Sequence, residues 1–319
     1  MKFYTSVLPY RGRLLVRGVD KDGAQKKYRI NYKPSLFVPV GKESKYKTLD
    51  GRNVERIKFD SMPEATKWVN EYKNVTNFEY FGNTRHQYPF IADEFKGKID
   101  WDMNKIKLLT IDIECESENG FPSPEKADQP LICITVKDHT TKKIIVFGMG
   151  NFVNDREDVQ YINCVTETGL VETFTKFWVE YNPDIITGWN VKFFDIPYLM
   201  NRFRYLMGDE WLNQFSPWGI VEQKSASVLF ASREQQVWNI MGVDTLDYLD
   251  LYRKFTFVRR ESYKLDYIGE VELGQNKLDN PYDTFKEFYS NDYQRFVEYN
   301  IQDVELVDKL EDKLQLIAL

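Results

Sequence analysis

The spacing of apolar positions changes once along the chain, near residue 105. Before that point, short mixed runs of β-branched and aromatic residues predict strands at Phe3–Val7, Arg13–Val19 and Lys27–Asn31, with Lys21–Gly23 as a turn between two of them. Apolar residues at Ala65, Trp68 and Val69 predict one helix over Pro63–Tyr72. Beyond it, Ile106–Ile113, Leu131–Val136 and Ile144–Phe147 read as buried strands. Helical spacing follows at Thr168–Tyr181 and Asp195–Leu206, around a short strand at Asp184–Thr187. Val228–Met241 is expected to form a hairpin with Ser232–Gln236 at its tip. Tyr248–Phe255, Tyr263–Ile268 and Tyr293–Leu316 are expected to be helices. The pattern is that of a small α+β domain over 1–103, then an α/β domain over 104–319 with a mixed sheet flanked by helices.

Composition sharpens this picture. Hydrophobic residues make up 42% and aromatics 15% of 319 residues, enough for packed cores, so disorder is not expected. The net charge of −6 is unevenly spread. Residues 1–100 hold 20 Lys+Arg against 12 Asp+Glu, which leaves 23 against 37 for the remainder. A basic first third suits phosphate contact and an acidic remainder suits divalent metals, although ordinary solvated faces would give the same balance. Cys115, Cys133 and Cys164 form no CxxC pair, so neither a disulfide framework nor a zinc site is expected. No signal peptide or bilayer-length apolar run is read, and the expected location is the cytoplasm.

Three groups of polar residues carry candidate chemistry. In the strand Leu108-Leu109-Thr110-Ile111-Asp112-Ile113-Glu114, residues two apart share a face, so Asp112 and Glu114 project together. Crowded carboxylates repel unless a cation is shared or one is protonated, and hard ions such as Mg²⁺ or Mn²⁺ suit oxygen ligands. Residues 186–197, ITGWNVKFFDIP, read as strand, tight loop and helix start, presenting Asn190 and Asp195. Capping alone would justify Asp195 there. In the last helix Tyr299 and Asp303 are four apart and share a face beside the stripe Val297, Ile301, Val304, a pattern also common on exposed helix flanks.

Taken in order, DxE, N-x4-D and Y-x3-D resemble the signature of DEDD-type 3′–5′ exonucleases of the ribonuclease H-like superfamily. Glu298 stands where the His-containing variant would carry its histidine, so the resemblance is to the Tyr variant. The match extends to ITGWNVKFFDIPYLMNR, LDYLDLYRKF and YQRFVEYNIQDV, which look like the proofreading domain of family B DNA polymerases from T-even-type bacteriophages. The basic first hundred residues resemble that family's N-terminal domain in more general terms. The family's polymerising motifs, DxxSLYP and YxDTDS, do not occur; Asp244-Thr245 lies in GVDTLDYLDLY without the required neighbours. The apolar ending at Leu319 looks cut within a helix, so the expectation is a portion of a polymerase, or one part of a split one, with no polymerisation of its own.

The resemblance implies two divalent ions, Mg²⁺ or Mn²⁺, with Asp112 touching both, Glu114 and Asp303 completing the water-activating site, and Asp195 acting at the second ion. It further implies that Tyr299 orients the attacking water, that Asn190 and Phe121 bind the terminal nucleotide, and that Lys277 faces the site, where a surface lysine would read equally well. The implied partners are single-stranded DNA 3′ ends, primer–template DNA and the polymerase portion, with no membrane. The hairpin resembles one that separates primer from template. Three rival readings stay open: a silent nucleic-acid-binding module, a ribonuclease H-like endonuclease, and a subdomain that needs its polymerase portion.

Overall fold

A computed structural model describes residues 1–118, 120–227 and 234–318. The chain divides into two compact units, Met1–Lys105 and Ile106–Leu319. In the first, β1 (Phe3–Tyr10), β2 (Arg13–Val19) and β3 (Gln25–Ile30) form an antiparallel sheet in that order. A second sheet follows, β4 (Ser35–Pro39), β5 (Tyr46–Lys47) and β6 (Asn53–Lys58), with β6 in the centre. Helix α1 (Met62–Tyr72) starts where Ser61 accepts the Glu64 amide while Glu64 reaches back to the Asp60 amide. Its Ala65 is fully buried, and Trp68 and Val69 pack against Leu36 and Phe59. Helix α2 (Gln87–Glu94) adds Phe90 to the core of Leu14, Val16 and Met62.

The second unit is built on one six-stranded mixed sheet. Its strands are β7 (Leu108–Cys115), β8 (Leu131–Asp138), β9 (Ile144–Gly148), β10 (Val159–Asn163), β11 (Ile185–Gly188) and, after the hairpin β12 (Val221–Ser227) and β13 (Glu234–Ile240), β14 (Asp244–Asp247). The spatial order is β10-β9-β8-β7-β11-β14. β7, β8 and β9 run as an antiparallel meander, while β10, β11 and β14 join by parallel pairing. Helices α3 (Glu167–Tyr181), α4 (Asp195–Met207), α5 (Asp209–Leu212), α6 (Tyr248–Phe255), α7 (Leu265–Leu273), α8 (Phe285–Asn291) and α9 (Tyr293–Leu314) flank the sheet. This is the mixed sheet flanked by helices, after a small N-terminal unit, that the ribonuclease H-like reading called for.

Helix α9 carries most of what matters here. Its Phe296, Val297 and Ile301 pack with Ile132, Cys133, Ile144 and Val146 of the sheet. One turn later Leu306, Val307 and Leu310 join a separate core with Tyr248, Tyr252 and Ile268. Asp303 lies between the two.

Several expectations shift. The strand foreseen over 106–113 begins two residues later and runs through Glu114, so both carboxylates lie inside the β7 ladder. The hairpin begins at Val221, not Val228, and Glu234–Gln236 pair with Ser225–Ser227 as strand instead of forming the tip. The rest of the foreseen tip, and residues 228–233 altogether, lie outside the described residues. The helix foreseen over 263–268 is α7, which starts at Leu265 and runs on to Leu273.

Candidate functional site

Strand β7 supplies the floor of the site. Ile111 and Ile113 are 1% and 4% exposed and point into the core, so Asp112 and Glu114 are forced onto the opposite face. Across the ladder their partners on β8 are Thr135 and Cys133. A register shift follows Glu114, where Cys115 pairs with Leu131. Such irregularities bend a strand end and re-aim its side chains.

Helix α9 brings the third carboxylate. The ligand oxygens of Asp112, Glu114 and Asp303 all lie within 4.8 Å of one another. Asn300, fully buried on the same helix, donates from its amide to the Asp112 carboxylate at 2.5 Å. The amide oxygen accepts from the Thr135 hydroxyl and, at 3.3 Å, from the Cys133 thiol. With two donors fixing the oxygen, the amide nitrogen has one direction left, toward Asp112. Sequence reading passed over Asn300; the available signal was an amide inside an apolar stripe of Phe296, Val297, Ile301 and Val304.

Asp195 arrives from the other side of β7. The capping alternative is corrected: Phe194 stands at the N-cap position of α4 with no side-chain capping bond, and Asp195 already belongs to the helix. Its carboxylate accepts the Ile113 amide across to β7 at 3.1 Å, and the residue is only 4% exposed. Close approach of the strands makes this possible. A Cβ on Gly188 would come within 2.5 Å of the Ile111 carbonyl oxygen, so β11 can end beside β7 only with glycine there.

The turn bearing Asn190 is also held by a carboxylate. Asn190 takes a left-handed conformation (φ 67°), which asparagine tolerates better than most residues. Asp247, at the end of β14, accepts the amides of Asn190 at 3.1 Å and Lys192 at 3.0 Å while capping α6 through the Leu249 amide at 2.9 Å. Sequence reading missed Asp247 too, because its partners lie more than fifty residues away.

Lys277 packs its ammonium group against Asp303 and over the Tyr299 ring, 4.6 Å from the centroid. The surface-lysine alternative is therefore corrected, since only 21% of the side chain is exposed. Phe121 is 85% exposed, with its ring 5.4 Å from that of Phe194. A cleft of 470 Å³ runs past both rings to Glu114, Phe285 and Tyr299.

The electrostatics follow from burial. Burial first, then the charges of Asp303, Asp195 and Glu114, push the Asp112 carboxyl well above its ordinary range. Burial raises Glu114 to about 8 and Asp195 to about 7. Burial raises Asp303 as well, with Lys277 pulling it back. The Tyr299 phenol is pushed up to about 12, again chiefly by burial, so it remains a hydroxyl near neutral pH. One oxygen of Asp303 is buried without any hydrogen-bond partner. A buried carboxylate oxygen left bare among like charges fits a cation ligand. A second group, His139, Asp308 and Asp312, is equally compact but differs in kind. There the ammonium groups of Lys137 and Lys142 already sit 2.9 Å from Asp308, and Lys142 lies at the same distance from Asp312.

Sequence comparison then supplies the family. The pattern described as DNA polymerase family B, exonuclease domain, matches residues 66–268. The chain belongs to DNA polymerase family B and carries its exonuclease domain. It is similar over its whole length to the DNA-directed DNA polymerase of Escherichia phage RB69, at 31% identity, and over 98% of it to that of Enterobacteria phage T4, at 29%. It is also 30% identical, over 66% of the chain, to the DNA polymerase delta catalytic subunit of Caenorhabditis elegans. The chain spans 38% and 37% of the two phage proteins. The matched family B span holds Asp112, Glu114 and Asp195 and ends before Tyr299 and Asp303. No helix among the described residues is long and apolar enough to cross a membrane.

Proposed function

We propose that the second unit is a 3′–5′ exodeoxyribonuclease that proofreads, cutting the terminal phosphodiester of a DNA strand with two divalent ions, Mg²⁺ or Mn²⁺. The observation that carries this reading is the bare Asp303 oxygen among three carboxylates whose ligand atoms lie within 4.8 Å, at the end of an aromatic-lined cleft. Asp112, Glu114 and Asp303 would hold the ions, with Asp195 completing the set. When bound, such ions lower the pKa of a water and stabilise the leaving 3′ oxygen.

The chain's own groups do the rest. Tyr299 keeps its proton and offers a hydroxyl to orient the attacking water. Lys277, beside Asp303, presents positive charge where negative charge develops. Asn190 on its left-handed turn and the exposed Phe121 ring would receive the terminal nucleotide, the ring stacking on any base. Water then attacks phosphorus, the bond to the 3′ oxygen breaks, and a nucleoside 5′-monophosphate leaves a shortened strand with a 3′ hydroxyl. The hairpin is tied beside this route by the Gln235 amide, which donates to the Phe193 carbonyl at 2.9 Å. Single-stranded ends are therefore the preferred substrate, since a paired end must first be opened to enter the cleft. Polymerisation is assigned to other parts of the family's longer proteins.

The test is digestion of a 5′-labelled single-stranded oligonucleotide with Mg²⁺, with EDTA, and with Asp112→Ala protein. A metal-dependent ladder shortening from the 3′ end, absent in the variant, is expected. An uncut substrate with wild-type protein, or full activity in Asp112→Ala, sinks the assignment.

A further inference from the structure

The segment joining α6 to α7 carries chemistry that the acidic centre does not use. Residues 253–264 hold Arg253, Lys254, Arg259, Arg260 and Lys264 against the single acid Glu261, on a unit that is acidic as a whole. Phe257 is 99% exposed and Val258 60%. Arg260 is committed to structure, donating to the Tyr252 hydroxyl at 2.9 Å and to Glu272 at 2.6 Å. Lys254, Arg259 and Lys264 are exposed, and none has an ion-pair partner among the described residues.

The foot of this loop is pinned to the nucleotide-binding turn. The Trp189 indole donates to the Tyr263 carbonyl at 3.0 Å, and the Arg253 guanidinium lies over the Tyr263 ring at 4.6 Å. Trp189 is the residue before Asn190. The loop therefore stands beside the turn that a terminal nucleotide would reach, and any strand reaching it must have its preceding nucleotides nearby.

We propose that Lys254, Phe257, Arg259 and Lys264 form a contact site for the single strand that trails the 3′ terminus. Phe257 stacks on a base, and the three cations neutralise backbone phosphates. An open ring flanked by exposed cations that form no ion pair among the described residues suits a polymer of flat bases and regularly spaced negative charge. A protein partner would cover the ring, but would also have to supply three acids in register. The proposal rests on the exonuclease reading and deepens it by extending the substrate contact beyond the terminal nucleotide.

The experiment measures binding, separately from cleavage. Anisotropy of a fluorescent oligothymidylate of about 12 nucleotides is followed in EDTA, across a salt series, with the full chain. Wild-type protein is compared with Phe257→Ala and with the double variant Lys254→Ala/Arg259→Ala. Phe257→Ala is expected to weaken binding about tenfold. The double variant should also flatten the plot of log affinity against log salt by about 1.4, two charges at roughly 0.7 each. Thermal melting of the variants should match wild type, because these side chains are exposed. Unchanged affinity and slope, or no binding by wild-type protein, overturns the proposal, and unchanged binding would give this face to a protein partner. Because cleavage is read separately, a wild-type ladder with insensitive variants sinks this proposal alone. Variant-sensitive binding without cleavage sinks only the exonuclease reading.

Discussion

Asn300 and Asp112, 188 residues apart in sequence, meet at 2.5 Å with the amide donating to the carboxylate. The contact uses one Asp112 oxygen, which leaves the other for the cation proposed above. It also ties β7 to α9 at the point where their carboxylates converge. Replacing Asn300 with leucine removes the donor and strands the Thr135 hydroxyl it had accepted from. Losses in metal affinity or activity of about 10–100-fold are typical when such supporting groups are removed. Titrating the Mg²⁺ dependence of nucleotide release should show the requirement moving to higher concentration in Asn300→Leu. An unchanged titration would mean Asp112 needs no such support.

Crowding carboxylates costs stability, and the cost should be measurable. Burial and mutual repulsion raise Asp112 well above its ordinary range, so the charged form is disfavoured in the folded chain. Asp112→Asn keeps the shape and removes the charge. In EDTA this variant should melt above wild type by about 2–4 °C for each ~1 kcal/mol relieved. Adding Mg²⁺ should raise the wild-type melting temperature and leave the variant nearly unmoved. Nuclease activity should fall by orders of magnitude in the same variant. A lower melting temperature in EDTA would show that the repulsion is already relieved by other means.

Asp247 offers a way to disturb the Asn190 turn from outside the carboxylate cluster, and its charge also helps to raise Asp195. Its carboxylate takes two amides of that turn at 3.1 and 3.0 Å. Asp247→Asn presents an amide group to one of those donors and must push it away. KM for an oligonucleotide should rise about tenfold, equivalent to about 1.4 kcal/mol, with a smaller fall in kcat. A fall in kcat at constant KM would place Asp247 in the chemistry instead.

The second carboxylate group predicts a pH effect unrelated to catalysis. Asp308 is 2% exposed, and bonds from His139, Lys137 and Lys142 overcome its burial to hold it at about 2, below an ordinary 3.8. A depressed carboxylate stabilises the fold above its unfolded value, and that contribution drains away as pH falls through the folded value. The amount is ~2 kcal/mol, present near neutral pH and lost between about pH 4 and pH 2. Urea unfolding at stepped pH should show this slope in wild-type protein and lose it in Asp308→Asn. An identical slope in both would remove Asp308 as its source.

The apolar pattern made β7, α4 and α9 readable, because β7 and α4 are long, almost continuously buried runs and α9 carries a long apolar stripe. The pair Asp112 and Glu114 was readable for the same reason, as the polar face of a strand whose other face is Ile111 and Ile113. Strands β10 and β14 were not foreseen. Each has only five or four residues, and each exists because a neighbouring strand pairs with it. Asn300 and Asp247 look ordinary in sequence because their partners are distant. Asp195 was visible as a carboxylate, but its bond to the Ile113 amide is a tertiary fact, and local capping rules pointed elsewhere.

Helix α9 passes from one apolar core to another, and Asp303 sits at the crossing. Emptying space around Phe288 on one side, or around Ile268 on the other, tilts the same rod and moves the same oxygen atoms. The mutational target for loss of nuclease activity is thus far larger than the handful of acidic residues. A blind screen for inactive variants should return mostly shrunken aliphatic and aromatic side chains, from two separate cores whose residues interleave along the sequence, in proteins that still fold.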